Sequence, residues 1–468
     1  MKQYKRVIEY QKRLTQDSML GEVTKSLPEF MAEAETEEDI MCVVANYVLA
    51  PALNGFVAWV LRESIKQGIQ RLYFLARDGY LMYQTALRYV EAYKLPMECK
   101  YLYCSRFSIR VPNYHLDTEK ALHYITLGGL DVTAKKLYQR AGFTPEQRRK
   151  MYEAEVLPFE KGIQIPRHSL GEIKKQLEES NIFIEELKET SKRALPLYES
   201  YLKQEGLLDE ISMALVDSGW VGSMQKELNE SLQRMGKTKS LKGFYWGLYE
   251  LPNNTKREDY ETYFFSPEGE LRRKAGFNNC LFECIFTAPH GMTLGYESNG
   301  NAIVPVLAKF SDIRKQRIKQ IENMILTWQD IFMDKVQEVP AEEVLEHLSG
   351  DDCLDIIEKN MEDFMHRPTR KEAETFGKLE FSDDVLENSN NKIATKLEEK
   401  ELMQNHLLGK VWLELTGKKN HVPQSAWYEG SAVIYGKRPQ HHIFHYSCYK
   451  YLMHYRKRMN WKRRYEGN

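Results

Sequence analysis

Between Arg71 and Arg106 the chain reads RLYFLARDGYLMYQTALRYVEAYKLPMECKYLYCSR, and no other stretch limits the possible folds as tightly. Leu72-Tyr73-Phe74-Leu75-Ala76 is a short apolar run of residues suited to a buried strand. It stops at Arg77-Asp78-Gly79, after which Leu81, Ala86, Leu87 and Val90 recur at helical spacing. A second apolar run, Tyr101-Leu102-Tyr103-Cys104, ends in Ser105-Arg106. Strand, crossover helix and strand predict a parallel pair. Open parallel sheets bind ligands outside the carboxyl ends of their strands. Arg77, Asp78, Gly79, Ser105 and Arg106 therefore stand where a site would be.

The same grammar returns later. Met213-Ala214-Leu215-Val216 reads as a strand, followed by Asp217-Ser218-Gly219-Trp220-Val221-Gly222-Ser223, a helical pattern over 224–235 and a further strand over Gly243–Leu248. Two such units predict an α/β fold with a Rossmann-like, mostly parallel sheet of four or more strands. The core is expected over 41–106 and 209–305, with the helix before the first strand split at Pro51. Residues 107–208 lose the strand pattern and predict a large helical insertion or cap above the carboxyl edge. Residues 1–40 read as a solvated helical lead-in. Residues 306–403 read as mainly helical, with a soft stretch SDDVLENSNN at 382–391. Residues 404–468 form a C-terminal segment whose end, 450–468, carries seven Lys or Arg against one Glu among aromatic residues.

Composition removes several function classes. The 468 residues carry a net charge of −1, which gives no electrostatic footprint for nucleic acid. Seven cysteines lack paired CxxC spacing, so free thiols are expected, not a disulfide framework or zinc site. The most apolar stretch, Val43 to Leu61, is broken by Asn46, Pro51 and Asn54, and the polar start offers no signal core. A cytoplasmic location follows as the expectation. The basic aromatic tail at 450–468 adds an expectation of peripheral contact with an anionic inner-membrane surface or docking to a partner.

The turn at 217–223 is the sharpest chemical signal. An acid after a strand and a Gly/Ser segment running into a helix can cradle a phosphate with backbone amides and the helix N-terminus. Gly219 and Gly222 would admit the ligand, with Trp220 beside them. Ser218 and Ser223 would donate hydroxyls, and Asp217 would hold a ribose hydroxyl or hydrated magnesium. The segment matches neither GxGxxG nor GxxxxGK[ST]. Asp78 can serve as nucleophile, general base or metal ligand, or can simply cap the following helix; Arg77 and Arg106 would neutralise phosphate. Glu283 and His290 are secondary candidates for acid/base work. If magnesium takes part, Asp78 or Asp217 would bind it; no other cofactor is implied.

The segments PALNGFVAWV, LYFLARDGYLM, YLYCSR, VDSGWVGSMQ, GFYWGLYE and FECIFTAPHG resemble a family of bacterial proteins encoded in surface-polysaccharide (capsule or O-antigen) gene clusters. In that family the similar region often follows a haloacid-dehalogenase-like (HAD) hydrolase domain. The resemblance spans roughly residues 45–300. It implies a role on a phosphorylated sugar or nucleotide in polysaccharide biosynthesis, with glycosyltransferases as possible partners. No DxDx[TV] nucleophile motif is present, so a HAD-like hydrolase acting on a phosphorylated sugar is only the alternative. In topology the chain is also similar to type I phosphoribosyltransferases, although Ser218 stands where their loop has a second acid. The resulting expectation is a phosphoribosyltransferase-like phosphate loop serving a transferase or hydrolase. A non-catalytic partner of glycosyltransferases is a third reading.

Overall fold

The computed structural model describes residues 5–27, 34–128, 132–158, 162–381, 391–415 and 423–465. Most of the soft stretch expected at 382–391 lies outside them, as does the extreme end of the tail. Five strands form one all-parallel sheet: β1 (Arg71–Leu75), β2 (Glu98–Leu102), β3 (Met213–Trp220), β4 (Lys242–Leu248) and β5 (Tyr260–Phe265), in the order β2-β1-β3-β4-β5. The fold is α/β and Rossmann-like, as the two strand–helix–strand units predict. Both faces of the sheet are buried, because parallel connections place helices on each side. Leu72, Phe74, Ala214 and Val216 join one core, while Tyr73, Leu75, Met213 and Leu215 join another.

The register decides where side chains meet. Phe74 pairs with Tyr101 on one side and with Val216 on the other, and β1 ends one residue later. β3 does not end there. It continues beside β4, with Asp217 opposite Tyr245, Gly219 opposite Gly247 and Trp220 opposite Leu248. The segment expected to be a phosphate loop is thus largely strand. β2 lies three residues earlier than the apolar run suggested, so Tyr103–Ser105 is a connection and not sheet. Beyond β5, an antiparallel hairpin of β6 (Thr293–Asn299) and β7 (Ala302–Leu307) leaves the main sheet.

Residues 107–208 are helical, as expected, and keep their own core, in which Leu122, Leu137, Tyr138, Phe183 and Leu187 are buried. The long helix Asn181–Gln204 leads back to β3. Its Tyr201 stacks on Tyr296 of β6 with ring centroids 4.3 Å apart, which ties the insertion to the hairpin.

Two expectations about helices fail. The helix before β1 is not split at Pro51: a π-helical turn, Ala45–Leu49, joins Glu37–Val44 to Ala50–Lys66. Pro51 sits in the first turn after it, where its missing N–H is tolerated. This helix is long and apolar enough by composition to cross a membrane, but 94% of its most apolar window is buried inside the protein. Nor is the amino-terminal segment a solvated lead-in. Val7, Tyr10, Leu14, Leu20 and Val23 lie in the sheet's own core, together with Ile325, Trp328 and Phe364 from the C-terminal helices. Tyr10 donates to Glu372 at 2.8 Å, and Arg13 binds Asp363 at 2.6 Å. The charged surface of these helices hid an apolar stripe that closes one face of the domain.

This difference is measurable. Leu14→Ala should lose about 2–5 kcal/mol of unfolding free energy in urea, the cost of a core truncation. A solvated helix would lose no more than ~0.5 kcal/mol.

Candidate functional site

The register places the residue after the last β1–β3 pair, Asp217, next to the chain leaving β1. Ser218 donates its hydroxyl to Asp78 Oδ2 at 2.5 Å, across 140 positions of sequence. Asp78 stands before the helix Gly79–Tyr93 without capping it, so its carboxylate is committed to the crevice. The Ala76–Arg77 peptide bond beside it is cis. Gly79 is buried where the helix meets β1, and a Cβ there would lie 3.0 Å from the Phe74 carbonyl carbon.

Glu283 completes the group. Its helix, Asn279–Ile285, buries Leu281, Phe282, Cys284 and Ile285 in the core, which turns Glu283 to the opposite side. Trp220 donates its indole N–H to Glu283 at 2.5 Å. To do so Trp220 adopts φ 71°, a left-handed conformation that a bulky residue keeps only when its surroundings impose it. Phe277, Phe282, Tyr249 and Phe265 surround its ring at centroid distances of 5.4–6.3 Å.

The three acids repel one another. Asp217 keeps part of its surface open yet sits deep in the crevice, and burial together with the Asp78 charge pushes its pKa up to about 7. Backbone N–H groups of Ser218 and Gly219 and the charge of Arg106 oppose this rise. Burial and Asp78 push Glu283 up to about 8, against Trp220, Arg106 and Arg77. Arg106 thus acts on both carboxyl groups and Arg77 on Glu283. Arg106 is exposed at the start of the helix Arg106–Arg110.

Other sequence candidates have structural work. Ser105 is buried, caps that same helix and donates to Thr293 O at 2.7 Å, so it braces Arg106 against the hairpin. Gly219 has φ 110°, and a Cβ there would come within 2.4 Å of Gly247 O. Gly222 has φ 71° and abuts the Tyr260 ring, 2.7 Å from where its Cβ would be. Both glycines serve strand contact and packing, not an open backbone cradle. Ser223 merely begins the helix Ser223–Arg234, whose N-cap is Gly222.

Burial, with the charge of Arg77, lowers the pKa of His290. Its Nδ1–H donates to Gly291 O at 2.8 Å, and Nε2 then accepts from the Tyr101 hydroxyl at 2.9 Å. Both ring nitrogens are occupied, which fits a positioning role better than proton transfer. Tyr80, Tyr101, Tyr103 and His290 form one aromatic wall, with centroid distances between 5.0 and 6.4 Å. The tyrosines escaped the sequence reading because Tyr101 and Tyr103 look like strand residues. Their clustering after a strand end was the only available signal.

A cleft of about 570 Å³ runs between the insertion and the hairpin, lined by Phe107, Arg148, Gly291, Met292, Lys309 and Arg314. Its lining contains none of the three acids, although Phe107 follows Arg106 and Gly291 follows His290 in the chain. Among the described residues, the three acids do not bring three oxygens within 4.8 Å of one another. A magnesium ion here would take one or two carboxylates and complete its shell with ligand oxygens and water. All seven cysteines are free thiols, as expected. No protein-family model matches the chain, and no curated protein matches it.

The raised acids make stability depend on pH. In the folded protein Asp217 and Glu283 bind protons that the unfolded chain releases near the ordinary carboxylate values of 3.8 and 4.5. Their contribution to stability therefore falls as pH rises from that range through about 8. Urea unfolding of Asp217→Asn and Glu283→Gln at pH 5 and pH 8.5 should show a smaller loss than the parent. An equal loss in all three proteins would contradict the assignment.

Proposed function

We propose that the crevice binds and turns over a phosphorylated sugar or nucleotide in bacterial surface-polysaccharide biosynthesis. One observation carries this reading: Asp78 accepts from Ser218 beside Asp217, and burial with the Asp78 charge raises Asp217 to about 7 and Glu283 to about 8, while Arg106 acts on both and Arg77 on Glu283. Such a pair of environments separates the roles of base or nucleophile and acid. Asp78 takes the first role, oriented by Ser218; Glu283 and Asp217 supply protons to a leaving oxygen. The arginines hold the phosphate, and the aromatic wall of Tyr80, Tyr101 and Tyr103 offers a face for a sugar ring or base. Magnesium, if bound, belongs with Asp78 or Asp217, where it would relieve the repulsion between them.

The hydrolase alternative uses the same atoms. Asp78 would attack phosphorus, the bond to the sugar oxygen would break, and a protonated carboxyl would reprotonate that oxygen. Water would then cleave the aspartyl phosphate.

Thermal-shift measurements against sugar phosphates, nucleotides and phosphoribosyl pyrophosphate, with and without magnesium, test the reading. A ligand at ~100 times its dissociation constant should add about 2.7 kcal/mol of stability. Arg106→Ala and Asp217→Asn should abolish that gain. Stabilisation by no phosphorylated compound, or undiminished stabilisation of both variants, would refute it. Gly222 is unsuited to this test because a larger residue collides with Tyr260.

A second surface supports docking to a membrane or to glycosyltransferases. The terminal helix Pro439–Tyr465 buries Lys450 and His454 yet exposes Phe444, Tyr451, Leu452, Tyr455 and Met459. Phe444, Tyr451 and Leu452 also line a cavity of about 740 Å³ that contains none of the three acids. Basic residues between these apolar ones suit an anionic lipid surface. Replacing Tyr451, Leu452 and Tyr455 by serine should remove salt-sensitive co-sedimentation with anionic vesicles while ligand binding persists. Equal sedimentation of parent and variant would remove the lipid reading.

A further inference from the structure

We propose that His406, His441 and His445 form a binding site for a divalent transition-metal ion of the zinc class, separate from the crevice. One ring nitrogen of each lies within 4.8 Å of the other two. His441 and His445 are four residues apart on the helix Pro439–Tyr465 and so share a face. His406 comes from the turn between the helices Glu399–Gln404 and Leu407–Leu415. Its ring lies nearly parallel to that of His445, with centroids 4.8 Å apart, and His441 approaches His445 at 4.4 Å.

A second observation gives this cluster a direction. His442 is buried and places Nε2 2.9 Å from Glu399 Oε1. An ionised carboxylate can only accept, so Nε2 carries the proton and, in neutral His442, Nδ1 carries a lone pair. That lone pair faces His406 Nε2 at 2.9 Å and accepts its proton. His406 is thereby fixed in the tautomer whose Nδ1 lone pair is left for a metal. Carboxylate–imidazole support of this kind is what orients metal-binding histidines.

The donor set identifies the ion class. Three imidazoles without thiolate or carboxylate suit zinc and its first-row neighbours, whereas magnesium and calcium demand oxygen. Zinc–nitrogen bonds of about 2.0–2.1 Å are within reach of nitrogens that lie within 4.8 Å of one another, with side-chain adjustment as the ion binds. Three protein ligands leave a fourth position for water on the side of exposed His441. The ion would clip the terminal helix, and with it exposed Phe444 between the two helix histidines, to the preceding pair of helices.

Tag-free full-length protein, stripped with chelator, should bind one equivalent of Zn²⁺ by calorimetry and raise its melting temperature. Cobalt(II) should give the visible absorption of a four-coordinate site. His441→Ala/His445→Ala changes side chains that are not fully buried and should abolish both signals while the apo protein still unfolds cooperatively. Glu399→Gln should weaken binding 10- to 100-fold at unchanged stoichiometry. His347→Ala serves as control, because His347 belongs to a different acidic and thiol group with Asp17 and Cys353. Absence of saturable binding, its retention in the double variant, or its loss only in His347→Ala would overturn the proposal.

Discussion

Asp78, Asp217 and Glu283 share a space in which three negative charges repel strongly, and much of the neighbouring structure manages that repulsion. Like charges brought together in a poorly solvated site shift protonation instead of remaining ionised. Two of the three groups respond by holding protons near neutrality. What remains is stabilised locally: Ser218 donates to Asp78, Trp220 to Glu283, and backbone N–H groups of Ser218 and Gly219 to Asp217. Each donor is fixed by something larger. Ser218 and Trp220 are held by pairing with β4, and Trp220 keeps its left-handed backbone because aromatic rings fill the space around it.

The unequal lengths of β1 and β3 create the crevice. β1 stops after Leu75, while β3 continues for four residues along β4 beyond its last pair with β1. The strand that runs on exposes one edge just where the chain leaving β1 turns away, and Asp78 fills that step. Ser105 and the β6–β7 hairpin close the other side, with Tyr296 donating to Tyr103 O at 2.9 Å. Helices from both chain ends then cover one face of the sheet through a single continuous core. That continuity ties β3 and the helices that follow Asp78 and carry Glu283 into one apolar body, whereas Arg106 begins a helix whose Phe107 joins the insertion's own core.

Local apolar runs made the architecture legible. A run of buried-strand residues bounded by charge or glycine is a strong signal, and β1, β3 and β4 were all found from it. β5 was missed as a separate strand because Tyr260–Phe265 lies in a stretch rich in aromatics throughout. The π-helical turn and the buried amino-terminal helices were invisible because both depend on what packs against them. At the site, Asp78 was legible as the acid beyond a strand end, whereas Asp217 lies within β3 and Arg106 begins a helix four residues after β2. The roles of Gly219 and Gly222 were misjudged. Glycine in a sequence reports close approach to something, and here the partners are Gly247 O and the Tyr260 ring. Glu283 looked secondary because its helix is short and its raised pKa arises from burial and from Asp78, about two hundred positions away.

The protonated acids also bear on which ligand the crevice favours. An ionised carboxylate only accepts hydrogen bonds and repels phosphate, so an acid-rich pocket is at first sight a poor place for one. Asp217 and Glu283 invert this when they keep their protons, since each then offers an O–H donor. On the proposed reading, a phosphate would meet two guanidinium groups and two O–H donors, with Asp78 as the remaining anion. The arrangement should weaken as pH rises and the acids ionise, and it should favour a ligand that carries its negative charge at one end. On that reading a neutral sugar would gain nothing from Arg77 and Arg106, whereas a phosphorylated one would place its charge against them and its ring against Tyr101 and Tyr103.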